Sequence, residues 1–358
     1  MYTLEHRPFS FDSMIGNKGI LNEMKTRSET LDFPEVMIFS GPSGTGKTTL
    51  AFIISALIND PNPIKVRGKK YLNPNPKSPS SLNVLGEKFN RDVLFYDAST
   101  MGKDDVAKLE TVVSTAPMFD RKKVIIIDEA QELTKAGKGV TLRLLEKKRK
   151  NAHIILCTMN IGAFDKAVKT RGQLYTFRSP TPTEISEYLF DLTETIGVEA
   201  PEEFYEQGLF TLAESCEGSV RYAVQNLERC IVGGFYSEEQ IQNELGFLSL
   251  SNLTKILLKI LKKDATVIED ILGFSSKDFF YKAKKTLVDS VIYKNTKYLS
   301  TDWKKGFAEK ISKYDIEELT DIFMRVDSES YFKEELFLYE LSKYFAKPVL
   351  QTRRKIVE

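Results

Sequence analysis

Between residues 35 and 177, short and nearly unbroken apolar runs alternate with longer stretches of helical periodicity. The runs occupy residues 36–40, 93–96, 124–127, 154–158 and 174–177. Each is too short for a helix and lacks polar alternation, which predicts strands covered on both faces and joined by helical crossovers. The expected fold class is therefore α/β with a parallel sheet. The alternation stops at Ser179-Pro180-Thr181-Pro182-Thr183, and a helix is expected from Thr183. Helices over 204–213 and 220–231 follow, and Gly233, Gly234 and Ser237 mark a break. From Ser249 onward the periodicity is that of long amphipathic helices. Leu253, Ile256, Leu257, Ile260 and Leu261 make one apolar stripe, and Phe332, Leu336, Tyr339, Leu341 and Tyr344 a second. The expected domains are an α/β core at 1–178, a small helical domain at 179–237 and an all-α domain at 238–358.

A length of 358 residues fits two or three domains. The net charge of +1 says nothing about a nucleic-acid partner, so any basic surface must be local. Cys157, Cys216 and Cys230 form neither a paired framework nor a metal-ligand spacing, which fits a reducing compartment. No signal peptide and no run of membrane-span length is recognised, so a cytoplasmic protein without a membrane partner is expected, in a host's cytoplasm if a virus encodes it. One segment interrupts the α/β rhythm. Residues 59–83 carry Pro61, Pro63, Pro74, Pro76 and Pro79 with Lys65, Arg67, Lys69, Lys70 and Lys77 among them. That density of proline predicts a surface excursion, read as a solvated insertion with a nucleic-acid contact as the sharper alternative.

The first apolar run leads into Gly41-Pro42-Ser43-Gly44-Thr45-Gly46-Lys47-Thr48-Thr49, and a helical pattern follows. This is the phosphate-loop pattern in its required strand–loop–helix setting. Glycines let the backbone amides curl around a phosphate at a helix N-terminus. Lys47 is the expected phosphate cation, and the Thr48 hydroxyl an expected Mg²⁺ ligand. The third run ends in Asp128-Glu129. Asp128 is expected to hold Mg²⁺ and Glu129 to act as general base toward water. The fourth run ends at Thr158-Met159-Asn160, where Asn160, with Thr158 as rival, is expected to meet the terminal phosphate or the attacking water. On local chemistry alone Arg171 reads as a surface arginine, and Arg221 as a helix-start residue behind a Ser219 cap.

Taken together these motifs resemble the AAA+ ATPases, and within them the clamp-loader subunits: bacterial DNA polymerase III gamma/tau, replication factor C small subunits and their phage counterparts. The resemblance runs from about Leu4 to Ile231. Its opening, Arg7-Pro8-Phe9-Ser10-Phe11 with Ile15-Gly16, is similar to the family's adenine-pocket segment, so Arg7, Pro8, Ile15 and Gly16 are implied base-binding residues. Asp97-Ala98-Ser99-Thr100 and the stretch 113–117 before the second acidic motif also resemble the family.

The same resemblance makes Arg171 an arginine finger supplied to a neighbouring subunit's ATP, although its flanking Thr170 and Gly172 depart from the family's Ser-Arg-Cys. Gly218-Ser219-Val220-Arg221 matches the lid motif whose arginine senses the γ-phosphate in cis. The four-cysteine zinc module that gamma/tau subunits carry after the phosphate-loop helix is absent here, the proline-rich segment from Asn59 taking its place, so no zinc is expected. Leu145-Glu146-Lys147-Lys148-Arg149 replaces an acidic, proline-containing stretch, which reads as an altered subunit contact, a DNA-facing patch or a solvated turn.

What the resemblance implies is an ATP- and Mg²⁺-dependent subunit of a pentameric ring that opens a sliding clamp and places it on primer–template DNA, the all-α domain serving as collar. Lys103 is a candidate DNA contact. The competing readings are another AAA+ ATPase of replication or recombination, such as a helicase loader or branch-migration motor, and a nucleotide-bound scaffold subunit. A phosphate-loop kinase is disfavoured by the Asp128-Glu129 pair.

Overall fold

Alternate residues of each apolar run go to opposite faces of one sheet, and the three inner strands are covered on both faces while the two edge strands are covered on both only in part. In the computed structural model, which describes residues 2–86, 92–101, 103–146, 151–272, 276–299, 305–326 and 333–346, the strands are β1 (Val36–Ser40), β2 (Ile64–Lys65), β3 (Leu72–Asn73), β4 (Val93–Asp97), β5 (Lys123–Asp128), β6 (Ala152–Thr158) and β7 (Gln173–Thr176). All five expected strands are present, with ends displaced by at most two residues. They form one parallel sheet in the order β4-β5-β6-β1-β7, and β2 pairs with β3 in a separate antiparallel ribbon.

The helices of this part are α1 (Tyr2–Glu5), α2 (Lys18–Ser28), α3 (Lys47–Asn59), α4 (Pro79–Leu85), α5 (Lys103–Ser114), α6 (Lys135–Glu146), α7 (Lys166–Lys169), α8 (Pro182–Ile196), α9 (Leu209–Ser215) and α10 (Val220–Gly233). On one face of the sheet Met37, Phe39, Val124, Ile126, Ile155 and Cys157 pack with α3 residues such as Leu50 and Ile54. On the other, Ile38, Ile125, Ile127, Ile154 and Leu156 pack with Leu109, Val113, Leu144 and Leu145. The helix expected at Thr183 starts at Pro182, inside a capping box in which Thr181 Oγ1 accepts from the Glu184 amide and Glu184 Oε2 from the Thr181 amide.

The proline-rich segment is largely exposed, as a surface excursion should be, but it is tied to the core at both ends. Pro79 occupies the first turn of α4, where a missing N–H costs nothing, and Val84 and Leu85 enter the core. The fully buried Asp60 organises the segment by accepting from the Asn62 amide (2.9 Å), the Asn75 amide (2.6 Å) and Ser81 Oγ (2.7 Å). Composition showed the prolines; the buried carboxylate that ties them down lies before them.

The chain divides into two compact units, residues 1–234 and 235–358. The second contains α11 (Glu238–Leu245), α12 (Leu250–Leu261), α13 (Val267–Leu272), α14 (Ser276–Thr296), α15 (Lys305–Ser312), α16 (Glu317–Arg325) and α17 (Lys333–Ala346). The α12 stripe is buried as expected. The stripe on α17 is not one face: Leu336 and Tyr339 are exposed, whereas Phe337, Leu341 and Tyr344 are buried, and Phe332 lies outside the described residues. Phe337 meets the rings of Phe279, Phe280 and Phe323, and that contact selects the inward face. The chain thus has a parallel α/β core followed by helices alone. No helix among the described residues is long and apolar enough to cross a membrane.

Candidate functional site

The sheet order leaves β1 between β6 and β7, with β4 and β5 beyond β6, so the chain after β1 turns outward at a topological switch point. The phosphate loop sits there. Its first amide, Gly41 N, donates to Thr158 O at the end of β6 (3.1 Å), tying the loop to the neighbouring strand. Lys47 opens α3 and is almost fully buried, with Nζ donating to the carbonyls of Gly41 (2.9 Å) and Pro42 (2.8 Å). Burial pulls its pKa below the ordinary lysine value, although the carboxylates of Asp128 and Glu129 pull the other way.

Asp128 ends β5, one strand beyond β6, yet its Oδ2 accepts from Thr48 Oγ1 at 2.8 Å and its Oδ1 from the Glu129 amide at 3.0 Å. Burial raises the Asp128 pKa despite those two donors. Glu129 has φ of +46°, uncommon for a side-chain-bearing residue. Its Oε2 accepts from Gln131 Nε2 (2.6 Å), and Gln131 Oε1 accepts from Thr158 Oγ1 (2.7 Å) and the Met159 amide (3.1 Å). Asn160 is exposed, and its Oδ1 caps the short turn that follows by accepting from the Gly162 amide (2.8 Å). Of the two rivals at the end of β6, Thr158 is the one bonded toward Glu129.

A cleft of about 360 Å³ opens above the loop. Ser43, Gly44, Thr45, Gly46, Lys47, Thr48, Thr49, Asp128 and Glu129 line one side, and Arg7, Pro8, Met14 and Ile15 another. Tyr188 of α8 and Val220, Arg221 and Val224 of α10 complete it. Arg7 is anchored by Nε donating to Thr49 Oγ1 (3.3 Å) and by its guanidinium lying 4.8 Å from the Phe52 ring centre. Gly16 stands behind this wall against Pro180, and Gly41 and Pro42 lie beneath Lys47 rather than in the lining. Neither Thr158, Asn160 nor Arg171 lines the cleft. Tyr188 and Gln131 are among the residues at the site that escape sequence reading. Tyr188 is one aromatic on an amphipathic helix, and Gln131 is a polar residue two places past the acidic pair; neither has a local signal.

Arg171 precedes β7, at the end of the sheet opposite the phosphate loop, because Gln173 pairs with Met37 near the start of β1. Its Nη2 pairs with Glu146 Oε1 (2.9 Å), and its Nη1 donates to Ala167 O (2.9 Å). Lys103 begins α5, but its side chain is not among the described features, and Lys147, Lys148 and Arg149 lie outside the described residues.

Known proteins of similar sequence act in DNA replication by their names. A family model described as DNA polymerase III, delta subunit matches residues 16–181. Replication factor C subunit 5 of Schizosaccharomyces pombe is 24% identical over 231 residues, covering 63% of this chain and 63% of that protein. The gamma/tau subunit of DNA polymerase III from Mycobacterium bovis is 25% identical over 257 residues, covering 70% of this chain and 42% of that protein. The chain therefore spans less than two thirds of either relative. Among solved structures, the Thermotoga maritima RuvB Holliday junction branch migration motor is 17% identical and covers 78% of this chain and 91% of its own, at a TM-score of 0.48. That is too distant for its details to be carried over. Over the matched residues the chain is thus similar to subunits of DNA polymerase III and replication factor C.

Proposed function

We propose that this chain is an ATP-hydrolysing subunit of a sliding-clamp loader, acting with other subunits on a clamp and on primer–template DNA in the cytoplasm of its cell or of a viral host. The observation that carries the reading is a divided catalytic set. Lys47, the Thr48–Asp128 pair and Glu129 share one cleft, while Arg171 stands at the far end of the sheet, suited to a neighbour's cleft.

The cleft fits a magnesium–nucleoside triphosphate. Loop amides at the start of α3 and the Lys47 ammonium suit phosphate oxygens, and the Thr48 hydroxyl and Asp128 carboxylate are the hard oxygen donors magnesium takes. Bound magnesium would supply charge neutralisation at the phosphates. Glu129 would accept a proton from the attacking water, and Thr158, through Gln131, would help set its direction. Arg7, Pro8 and Ile15, with Tyr188, would hold the base, and Arg221 would carry the position of α8–α10 to the terminal phosphate. The arginine of a neighbouring subunit would stabilise charge on the transferring phosphoryl group. The domains at 1–178, 179–237 and 238–358 would serve as ATPase core, lid and collar of a pentameric ring. Helix N-termini and basic side chains, Lys103 among them, would meet DNA phosphates.

The test is phosphate release by the assembled protein with primed DNA and its genomically encoded clamp. Stimulation by both is expected. Hydrolysis indifferent to the clamp would favour another AAA+ motor, and no hydrolysis in any assembly would favour a scaffold subunit.

A further inference from the structure

Four polar groups between Asn160 and Glu129 form a hydrogen-bond chain whose direction is determined at each link. The Asn160 amide can only donate, and it does so to Thr158 Oγ1 (3.1 Å), turning the hydroxyl hydrogen toward Gln131 Oε1 (2.7 Å). The Met159 amide, also only a donor, meets the same Oε1 (3.1 Å). With two donors facing one end of the Gln131 amide, that end must be oxygen. The NH₂ therefore points at Glu129 Oε2, 2.6 Å away. A chain of donors running one way polarises its members cooperatively.

The same Thr158 accepts the Gly41 amide through its carbonyl, so one residue at the end of β6 contacts both the phosphate loop and the path to Glu129. Glu129 itself starts from a left-handed backbone, which sends its side chain on an unusual course and leaves its far end to be held by Gln131.

We infer that Gln131 is a positioning residue: its amide holds the Glu129 carboxylate in register with Thr158, so that the direction of the base follows the position of the phosphate loop. The inference rests on the proposed hydrolysis by Glu129. Gln131 does not line the cleft and acts only through Glu129.

Four substitutions separate its parts. Gln131→Glu keeps the oxygen facing Thr158 and Met159 but loses the donor to Glu129 and adds a like charge. Gln131→Leu removes both ends. Thr158→Val removes the hydroxyl at nearly constant shape, and Thr158→Ser restores it. Each of the first three is expected to lower kcat by about 10- to 100-fold with KM and nucleotide-analogue affinity changed less than about threefold, and Thr158→Ser to recover most of the loss. The Gln131→Leu/Thr158→Val pair should cost no more than the worse single change, both in kcat and in a thermal-unfolding cycle measured without nucleotide.

Glu129→Gln serves as the reference. If it hydrolyses ATP normally, the hydrolysis reading falls. If it is inactive while the Gln131 variants keep wild-type kcat, or if the Gln131 and Thr158 effects simply add, the positioning role of Gln131 is overturned and the hydrolysis reading stands.

Discussion

The backbone N–H of Val220 donates to the carbonyl of Gly44 at 3.0 Å, fastening the start of α10 to the middle of the phosphate loop. Ser219, which caps the helix by accepting from the Tyr222 amide (3.3 Å), packs so closely that a Cβ on Gly44 would lie 2.1 Å from its Oγ. Gly44 also has φ of +72°, where a side chain costs about 1–2 kcal/mol. Gly44→Ala is therefore expected to push α10 off the loop and weaken nucleotide binding by roughly tenfold or more, the equivalent of ~1.4 kcal/mol. A fluorescent-nucleotide titration checks this; unchanged affinity would show that the contact between loop and helix is dispensable for binding.

Arg171 lies far from its own cleft and is held by Glu146, in an ion pair that is partly exposed on both sides. Arg171→Ala should leave nucleotide affinity within about threefold and lower turnover of the assembled protein by roughly 10³-fold. Mixing the variant with a Lys47→Ala subunit should restore turnover at those interfaces where an intact Arg171 meets an intact Lys47. Normal turnover by the all-variant assembly would remove the finger assignment. Glu146→Gln should cost less than about 1 kcal/mol of stability, as partly exposed pairs do, and its effect should be seen in turnover alone.

Asp92 is buried and receives the amides of Met118 (2.9 Å), Phe119 (2.7 Å) and Asp120 (3.0 Å). Burial works against its charge, but the amides and the nearby Lys123 prevail and hold its pKa below the usual carboxylate value. A depressed folded-state pKa stabilises the fold above the unfolded-state pKa, and the contribution disappears as pH falls through the folded value. Asp92→Asn should thus lower the melting temperature at neutral pH, by the equivalent of about 1–3 kcal/mol, and narrow its gap to wild type in acid. A gap that is constant with pH would refute this account.

The loop that Asp92 fastens displays Met118 and Phe119, which are 69% and 72% exposed. Two large apolar side chains on a pinned loop lose little entropy on docking and suit an apolar pocket on a protein partner. Under the function proposed above, the partner to test is the clamp. Replacing both by alanine should leave nucleotide binding and clamp-free hydrolysis unchanged and reduce clamp affinity by roughly 10- to 100-fold in surface plasmon resonance. Undiminished clamp binding would assign the surface to something else.

Much of this architecture was legible in the chain. A parallel strand buried on both faces writes itself as an apolar run, as β1, β5 and β6 do, whereas the edge strands β4 and β7 carry apolar runs although Phe95 and Leu174 are exposed. Proline is a poorer guide, since it breaks helices but also begins them, as Pro79 does in α4. Residues such as Asp60 and Asp92, whose partners are backbone amides, leave no pattern to read. The stripe on α17 misled because aromatic side chains occupy both sides of that helix, and only contact with Phe279, Phe280 and Phe323 distinguishes them.

The phosphate loop needed no tertiary information, because its glycines, its lysine and its helix start lie within nine consecutive residues and local backbone geometry does the rest. The pairing of Thr48 with Asp128 spans eighty positions and depends on the sheet placing β6 between β1 and β5 with all three strand ends level. The same order sends Arg171 to the opposite end of the sheet and brings Gln131 between Glu129 and Thr158. Contacts of that kind come from strand order and packing, which no spacing along the chain encodes, and they turn a phosphate-loop motif into a cleft in which Gln131 holds Glu129 and from which Arg171 is absent.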